Sequence, residues 1–272
     1  MIKDITIGQY YPYDSPIHRL DPRLKLILVI LLIVIIFVAQ TPAAYLCAAT
    51  FVAVAVALSH IPVKLIVKGL KPILFIIVIT TLLNLFYSGG EPIWSFWIIS
   101  ISKEGIWRTA TMLVRVVLLV IGTSLLTYTT SPIMLTDGLE RLLSPLKKIK
   151  LPVHEFSLMM TIALRFIPTL IEEVDKISSA QKARGSDLET GNLIQRAKAL
   201  VPILVPLFVS SFRRADELAV AMECRCYRGG AGRTRLRQYR LHRRDAVAAA
   251  VSVSVLAAVI LCNIFIRWGV LV

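Results

Sequence analysis

Five stretches of this chain are almost wholly apolar: Leu24–Ala39, Ala43–Ser59, Ile73–Tyr87, Ile106–Tyr128 and Ala246–Ile266. A helix crosses a bilayer core of about 30 Å with roughly 20 mostly apolar residues, so each stretch comes close to a membrane span. The pattern predicts an all-α, polytopic membrane protein. Composition agrees, since 56% of the 272 residues are hydrophobic and the mean hydropathy is +0.72, well above an ordinary soluble domain. Only Gln40-Thr41-Pro42 separates the first two stretches, which predicts a tight hairpin. Proline suits such a turn because it ends one helix and can open the next. The first stretch does not read as a cleaved signal peptide: a Pro/Tyr/Asp segment precedes it and no small-residue cleavage site follows.

Lysine and arginine predict the orientation. Lys3, Arg19 and Arg23 precede the first span, Lys25 sits just inside it, and Lys64, Lys68 and Lys71 fall in the second loop. The Gln40-Thr41-Pro42 turn is uncharged. The loop at Ser88–Gly105 sets Lys103 against Glu91 and Glu104 and carries Trp94, Phe96 and Trp97, aromatics that favour a membrane interface. Residues 130–245 hold 20 of the 31 Lys+Arg and 12 of the 17 Asp+Glu. With the N-terminus inside, five spans put every basic segment in the cytoplasm and the C-terminus outside. The expected division is therefore 1–129, a membrane region with four spans; 130–245, a cytoplasmic region; and 246–272, the last span.

The formal charge of +14 does not point to nucleic acid, because it flanks spans and lies mostly on the inner side. An anionic lipid surface attracts each such residue by roughly 1 kcal/mol. Arg233–Arg244, with six arginines and no acid, reads as a headgroup anchor and stop signal ahead of a specific lipid or partner site. Cys47, Cys224, Cys226 and Cys262 are scattered, and a reducing cytoplasm disfavours a disulfide between Cys224 and Cys226. No second Cys pair or nearby His completes a metal site.

The 130–245 region is patterned for helices. Thr129-Thr130-Ser131-Pro132 supplies a serine cap and a proline first turn for a short amphipathic helix reaching about Lys148, broken by Ser144-Pro145. After Pro152, Phe156, Met159, Ala163, Phe166, Ile167, Leu170, Val174 and Ile177 recur at helical spacing, with Arg165, Glu172, Glu173, Asp175 and Lys176 between them. That helix, with a kink near Pro168, ends at Lys182-Ala183-Arg184-Gly185, where glycine supplies a left-handed cap. A second helix runs from about Leu193 to Tyr227, bent or broken at Pro202 and Pro206 and stopped by Gly229-Gly230. Ala183-Arg184-Gly185 and Cys224-Arg225-Cys226 thus recur 41 residues apart near helix ends, a degenerate internal repeat. A single arginine there is explained by the helix dipole, worth about 0.3–1 kcal/mol. Two such motifs, each flanked by small residues on one side of the membrane, fit docking surfaces instead, since the guanidinium fork suits carboxylates and exposed carbonyls.

Several blocks resemble one family. They are Ile17-His18-Arg19-Leu20-Asp21-Pro22-Arg23-Leu24-Lys25; Thr129-Thr130-Ser131-Pro132 leading into Leu139-Glu140; Leu164-Arg165-Phe166-Ile167-Pro168; Ala180-Gln181-Lys182-Ala183-Arg184-Gly185; and Ala221-Met222-Glu223-Cys224-Arg225-Cys226-Tyr227. Together they resemble the transmembrane T component of energy-coupling factor (ECF) transporters over nearly the whole chain. The resemblance implies a scaffold of a vitamin or transition-metal importer in a bacterial or archaeal plasma membrane, with crossing cytoplasmic coupling helices. It implies that Arg184 and Arg225 each engage one of two P-loop ATPase subunits, with Ala183, Gly185, Cys224 and Cys226 permitting the close fit. It also implies a small hydrophobic substrate-capture subunit, which chooses the solute and topples during transport. ATP and Mg then belong to the ATPases, and this non-catalytic chain binds no cofactor. The family more usually shows Ala and Gly at 224 and 226, so a cysteine at 226 argues against a left-handed cap there.

The chain carries no G-x-x-x-x-G-K-[ST] loop and no H-E-x-x-H, and His18, His60, His154 and His242 lie far apart. Arg115 in the fourth span costs about 2.5–3.5 kcal/mol on insertion scales, so it should face protein or water, or snorkel outward near Arg108. Asn84 and Thr123 are expected to hydrogen-bond between helices. His18-Arg19-Leu20-Asp21-Pro22-Arg23 is expected to anchor the chain ahead of the first span, more than to contact the capture subunit. A self-contained secondary transporter or channel would want paired ionisable residues at mid-membrane and two similar halves. A lipid-directed membrane enzyme would want acidic or histidine clusters, whereas Glu172, Glu173 and Asp175 fit a solvated helix face.

Overall fold

The computed structural model describes residues 10–87, 92–96, 99–149, 152–185, 192–229, 239 and 241–269. In chain order the elements are α1 (Pro22–Val38), α2 (Pro42–Ser59), α3 (Val63–Tyr87), β1 (Pro92–Phe96), β2 (Ile99–Ser102), α4 (Lys103–Thr129), α5 (Pro132–Leu142), a 3₁₀ turn (Ser144–Ile149), α6 (Val153–Ala183), α7 (Leu193–Cys224) and α8 (Arg243–Gly269). The protein is a helical, polytopic membrane protein. Among the described residues, Pro42–Ser59, Gly105–Thr129 and Arg243–Phe265 are long and apolar enough to cross a bilayer, while α1 has 17 residues. Packing divides the chain into two units, one of Gly8–Arg141 with Tyr239–Val272 and the other built on Leu142–Gln238.

In the first unit, α1, α2, α4 and α8 share a core of Leu32, Ile35, Ile36, Ala39, Ala44, Tyr45, Ala48, Val52, Leu118 and Val259. Small residues let the helices approach, as expected where packing rather than water drives helix association. At Gly122 the approach is close enough that a Cβ would come within 2.3 Å of Leu32 Cδ2. The second helix of the first hairpin opens at Pro42 as the sequence suggests, and the first opens in the same way at Pro22. Asp21 accepts the Arg23 N–H at 2.9 Å ahead of Pro22, and Thr41 Oγ1 accepts the Ala44 N–H at 3.3 Å ahead of Pro42. The turn itself is held from α8. Asn263 Nδ2 donates to the Val38 carbonyl at 2.7 Å, and its Oδ1 accepts the Gln40 and Thr41 N–H groups at 3.2 and 3.3 Å.

The segment before α1 is anchored as expected. Asp245, buried in the first turn of α8, accepts the Asp21 N–H at 3.0 Å and the His242 N–H at 2.7 Å. Lys25 Nζ is buried and donates to the carbonyls of His18 and Thr129 at 3.2 and 2.9 Å and to Thr130 Oγ1 at 3.1 Å. His18 Nε2 lies 3.1 Å from the Tyr11 carbonyl, so that nitrogen carries the proton and Nδ1 accepts from Ser15 Oγ at 2.7 Å. Burial holds the His18 pKa below its ordinary value.

Arg115 faces protein. Its Nε and Nη2 donate to Tyr45 Oη at 3.1 and 2.7 Å, Nη2 reaches the Ala39 carbonyl at 3.5 Å, and the guanidinium lies 5.6 Å from the Phe37 ring centre. Three expectations need correction. Lys64, Lys68 and Lys71 are not in a loop but exposed on the first turns of α3, because nothing after Val63 interrupts helix until Pro72, and that proline is absorbed. Thr123 does not bridge helices; its hydroxyl donates back to Leu119 and Val120 of α4 at 2.8 and 3.3 Å, the local alternative open to threonine. The stretch after α3 includes a short antiparallel pair, with Pro92 opposite Ser102 and Phe96 opposite Ile99. Trp97 and the side chains of Asn84, Trp94 and Phe96 lie outside what is described.

The second unit pairs α6 with α7. Pro168 sits inside α6, and α7 continues through both Pro202 and Pro206.

Candidate functional site: two arginine helix ends

The two arginine motifs close their helices in the same way. Arg184 caps α6 at φ −84°, ψ 5°, and Gly185 follows at φ +85°. Arg225 caps α7 at φ −91°, ψ 14°, and Cys226 follows at φ +56°. The Gly185 N–H bonds the Lys182 carbonyl at 3.0 Å, and the Cys226 N–H bonds the Glu223 carbonyl at 2.8 Å. At α7 the Tyr227 N–H also reaches the Met222 carbonyl at 3.0 Å, which completes a Schellman closure. Cys226 is therefore left-handed after all, contrary to the expectation from its Cβ. These paired bonds offset a strain of about 1–2 kcal/mol. They also end α7 at Cys224, ahead of Gly229-Gly230.

Ala183, Arg184, Gly185, Cys224, Arg225 and Cys226 are all exposed, and Cys224 and Cys226 are free thiols. Nothing lies within 4 Å of where a Gly185 Cβ would point, so its small size matters to an approaching surface rather than to the fold. Among the described residues no three His, Cys, Asp or Glu gather as metal ligands.

What positions the two ends is the α6–α7 pair, which runs antiparallel. Gln181, late in α6, contacts Pro202, early in α7; Glu173 contacts Ser210 and Arg214; and Ile162 and Phe166 share a groove of about 280 Å³ with Leu218 and Met222. Some two dozen residues of α7 separate Pro202 from Arg225. At about 1.5 Å per residue the two arginine ends lie roughly 35–40 Å apart.

The seam joins apolar and polar contacts that the periodicity did not reveal. Ile203 is buried, and Leu207, Ser210, Arg214, Leu218 and Met222 continue its face at helical spacing. Glu173 accepts from Ser210 Oγ and from Arg214 Nη2, the latter at 2.9 Å. The Ser210 hydrogen bond first, then the Arg214 charge, hold the Glu173 pKa below the ordinary carboxylate value. The acidic run reads from sequence as a solvated face; Ser210, three residues after Leu207, and Arg214, four residues further on, are the available signal for Glu173's partners.

The comparisons agree with the blocks quoted above. The chain matches the CbiQ family, described as cobalt transport protein, over residues 14–236. It is 54% identical over 261 residues to an energy-coupling factor transporter transmembrane protein EcfT of Ruminiclostridium cellulolyticum, covering 96% of this chain and 98% of that one. A protein of the same name in Clostridium kluyveri is 54% identical over 271 residues, covering 99% and 100%. Another in Acidaminococcus fermentans is 48% identical over 270 residues, covering 99% of each. Helical membrane architecture, a family match over most of the chain and full-length relatives together place this chain in the CbiQ family, among the transmembrane T components of energy-coupling factor transporters.

Proposed function

We propose that this chain is the non-catalytic scaffold of an ECF-type importer, transmitting ATP hydrolysis by two ATPase subunits to a substrate-capture subunit in the membrane. Arg184 and Arg225 are the docking points, one for each ATPase. The observation that carries this reading is the shared geometry of the two ends: an exposed arginine at a helix cap, small neighbours, a left-handed residue next, and roughly 35–40 Å between them. Two equivalent sites that far apart suit two similar partners better than one. Arginine's planar fork can take a carboxylate or two carbonyls at once, and losing one side of such a buried pair costs about 2–5 kcal/mol.

Charge supports placing the N-terminus and the 130–245 region in the cytoplasm, with 1–129 carrying the first spans and 246–272 the last. ATP and Mg are then held by the partner subunits, and the solute, a vitamin or a transition metal ion, by the capture subunit. In the test, each of Arg184→Glu and Arg225→Glu weakens co-purification of the ATPases from detergent-solubilised membranes, and the double variant abolishes it. Lysine replacements are milder. Unchanged ATPase recovery with the double variant present in the membrane refutes the assignment.

A further inference from the structure

The first unit contains an apolar groove of about 530 Å³ that the transport reading does not use. It is lined by Leu28 and Leu32 of α1, Ala55 of α2, Gly122 and Leu126 of α4, and Val251 of α8. The lining runs from the start of α1 to its middle, through the first third of α8 and over the last half of α2 and the last third of α4, so the groove opens at one end of these helices. At that end it meets Lys25, Arg243 and Arg244. Its size is that of a small-molecule site, yet its walls offer almost nothing but hydrocarbon below a basic rim.

The two arginines are available. Arg243 and Arg244 are exposed, and neither side chain makes a hydrogen bond or ion pair among the described residues, although the Arg244 charge is felt at Asp14. The nearby carboxylates are already engaged: Asp14 with Arg19, and Asp245 with the N–H groups of Asp21 and His242. Lys25 is occupied by three oxygens and contributes its charge and its stem. An occupant must therefore combine a hydrocarbon tail with a negative head, and must be available within the membrane.

We infer that this groove holds one anionic phospholipid, with an acyl chain between α1, α2, α4 and α8 and its phosphate against Arg243 and Arg244. Under the proposed orientation the site faces the cytoplasmic leaflet, where anionic lipids attract juxtamembrane basic residues. The lipid ties the first and last helices together where Arg243 begins α8. The inference rests on the membrane character of these helices and not on the arginine docking sites, so either reading can fail alone.

The test is native mass spectrometry of the full-length chain, released from nanodiscs of equal phosphatidylglycerol and phosphatidylcholine. One phosphatidylglycerol is retained in preference to phosphatidylcholine, and Arg244→Gln lowers that preference roughly fivefold, with a larger loss for Arg243→Gln/Arg244→Gln. Val251→Trp, at an exposed position on the groove wall, reduces retention of both lipids. Equal retention of the two lipids by the unaltered chain overturns the inference, as does full phosphatidylglycerol retention by the double glutamine variant. A Val251→Trp chain that keeps its lipid but loses a small hydrophobic partner subunit overturns it in favour of a protein occupant.

Discussion

The side-chain amide of Gln181 donates to the carbonyl of Pro202 at 3.3 Å, and that carbonyl belongs to the residue four before Pro206. In an uninterrupted helix the N–H of residue 206 would bond it, but proline has none. The proline pair that reads as a threat to α7 thus creates an acceptor, and the residue three before Arg184 uses it. The end of α6 that carries the first arginine is fastened by this bond to α7.

Gln181→Leu should therefore destabilise the α6–α7 pair by about 1 kcal/mol, the usual net worth of such a bond at a site water can reach. Pro206→Ala restores an N–H to the helix, so in that background the Gln181→Leu cost should fall to near zero. A double-mutant cycle on apparent melting temperature in detergent checks this, and additive losses would show that the bond couples nothing.

Replacing the left-handed residues should shift stability in opposite directions. Cys226→Gly removes a Cβ from φ +56° and should stabilise by about 0.5–1 kcal/mol after the added freedom of the unfolded chain is counted. Gly185→Ala introduces a Cβ at φ +85° with no neighbour within 4 Å, so its cost of about 1 kcal/mol is purely backbone strain. Thermal unfolding of the two variants measures both signs.

The Glu173 clasp predicts an acid limb. Its folded pKa is depressed, chiefly by Ser210 and then by Arg214, so its contribution is complete above the ordinary glutamate value of about 4.3. That contribution decays as pH falls through this value toward the folded one. Between pH 7 and 4 the melting temperature of the wild type should drop further than that of Glu173→Gln. Parallel curves would show that the clasp adds no pH-linked stability.

In the membrane unit, Tyr45→Phe should cost about 1–2 kcal/mol, because it strips the Arg115 guanidinium of two of its bonds while leaving the charge in place. Arg115→Leu removes the charge that needs a partner, so the same tyrosine change in that background should cost less than half as much. Unfolding of the single and double variants in mixed micelles reads the difference.

Much of this protein is legible in its sequence because local chemistry decides it. Long apolar stretches predict spans, Pro42 in the Gln40-Thr41-Pro42 turn predicts a helix start, and the spacing from Phe156 to Ile177 predicts α6. The arginine motifs carry their own helix-ending signal in Gly185, and the blocks around them are distinctive enough to indicate the family. Each of these depends on residues a few positions apart.

Tertiary structure alone decided the rest, since it depends on residues distant in sequence supplying what a segment lacks. Asn263 satisfies the backbone of the α1–α2 turn more than two hundred residues away, and Tyr45 gives Arg115 its partner. Cys226 is the instructive local failure. Residue preference alone argues against its left-handed backbone, but the bonds from Cys226 and Tyr227 back into α7 outweigh the preference. Sequence by itself determined which segments are helical, which are apolar and where the arginines lie. Only the antiparallel pairing of α6 with α7 decided that the two arginines stand at opposite ends, because no periodicity within one helix specifies its register against another.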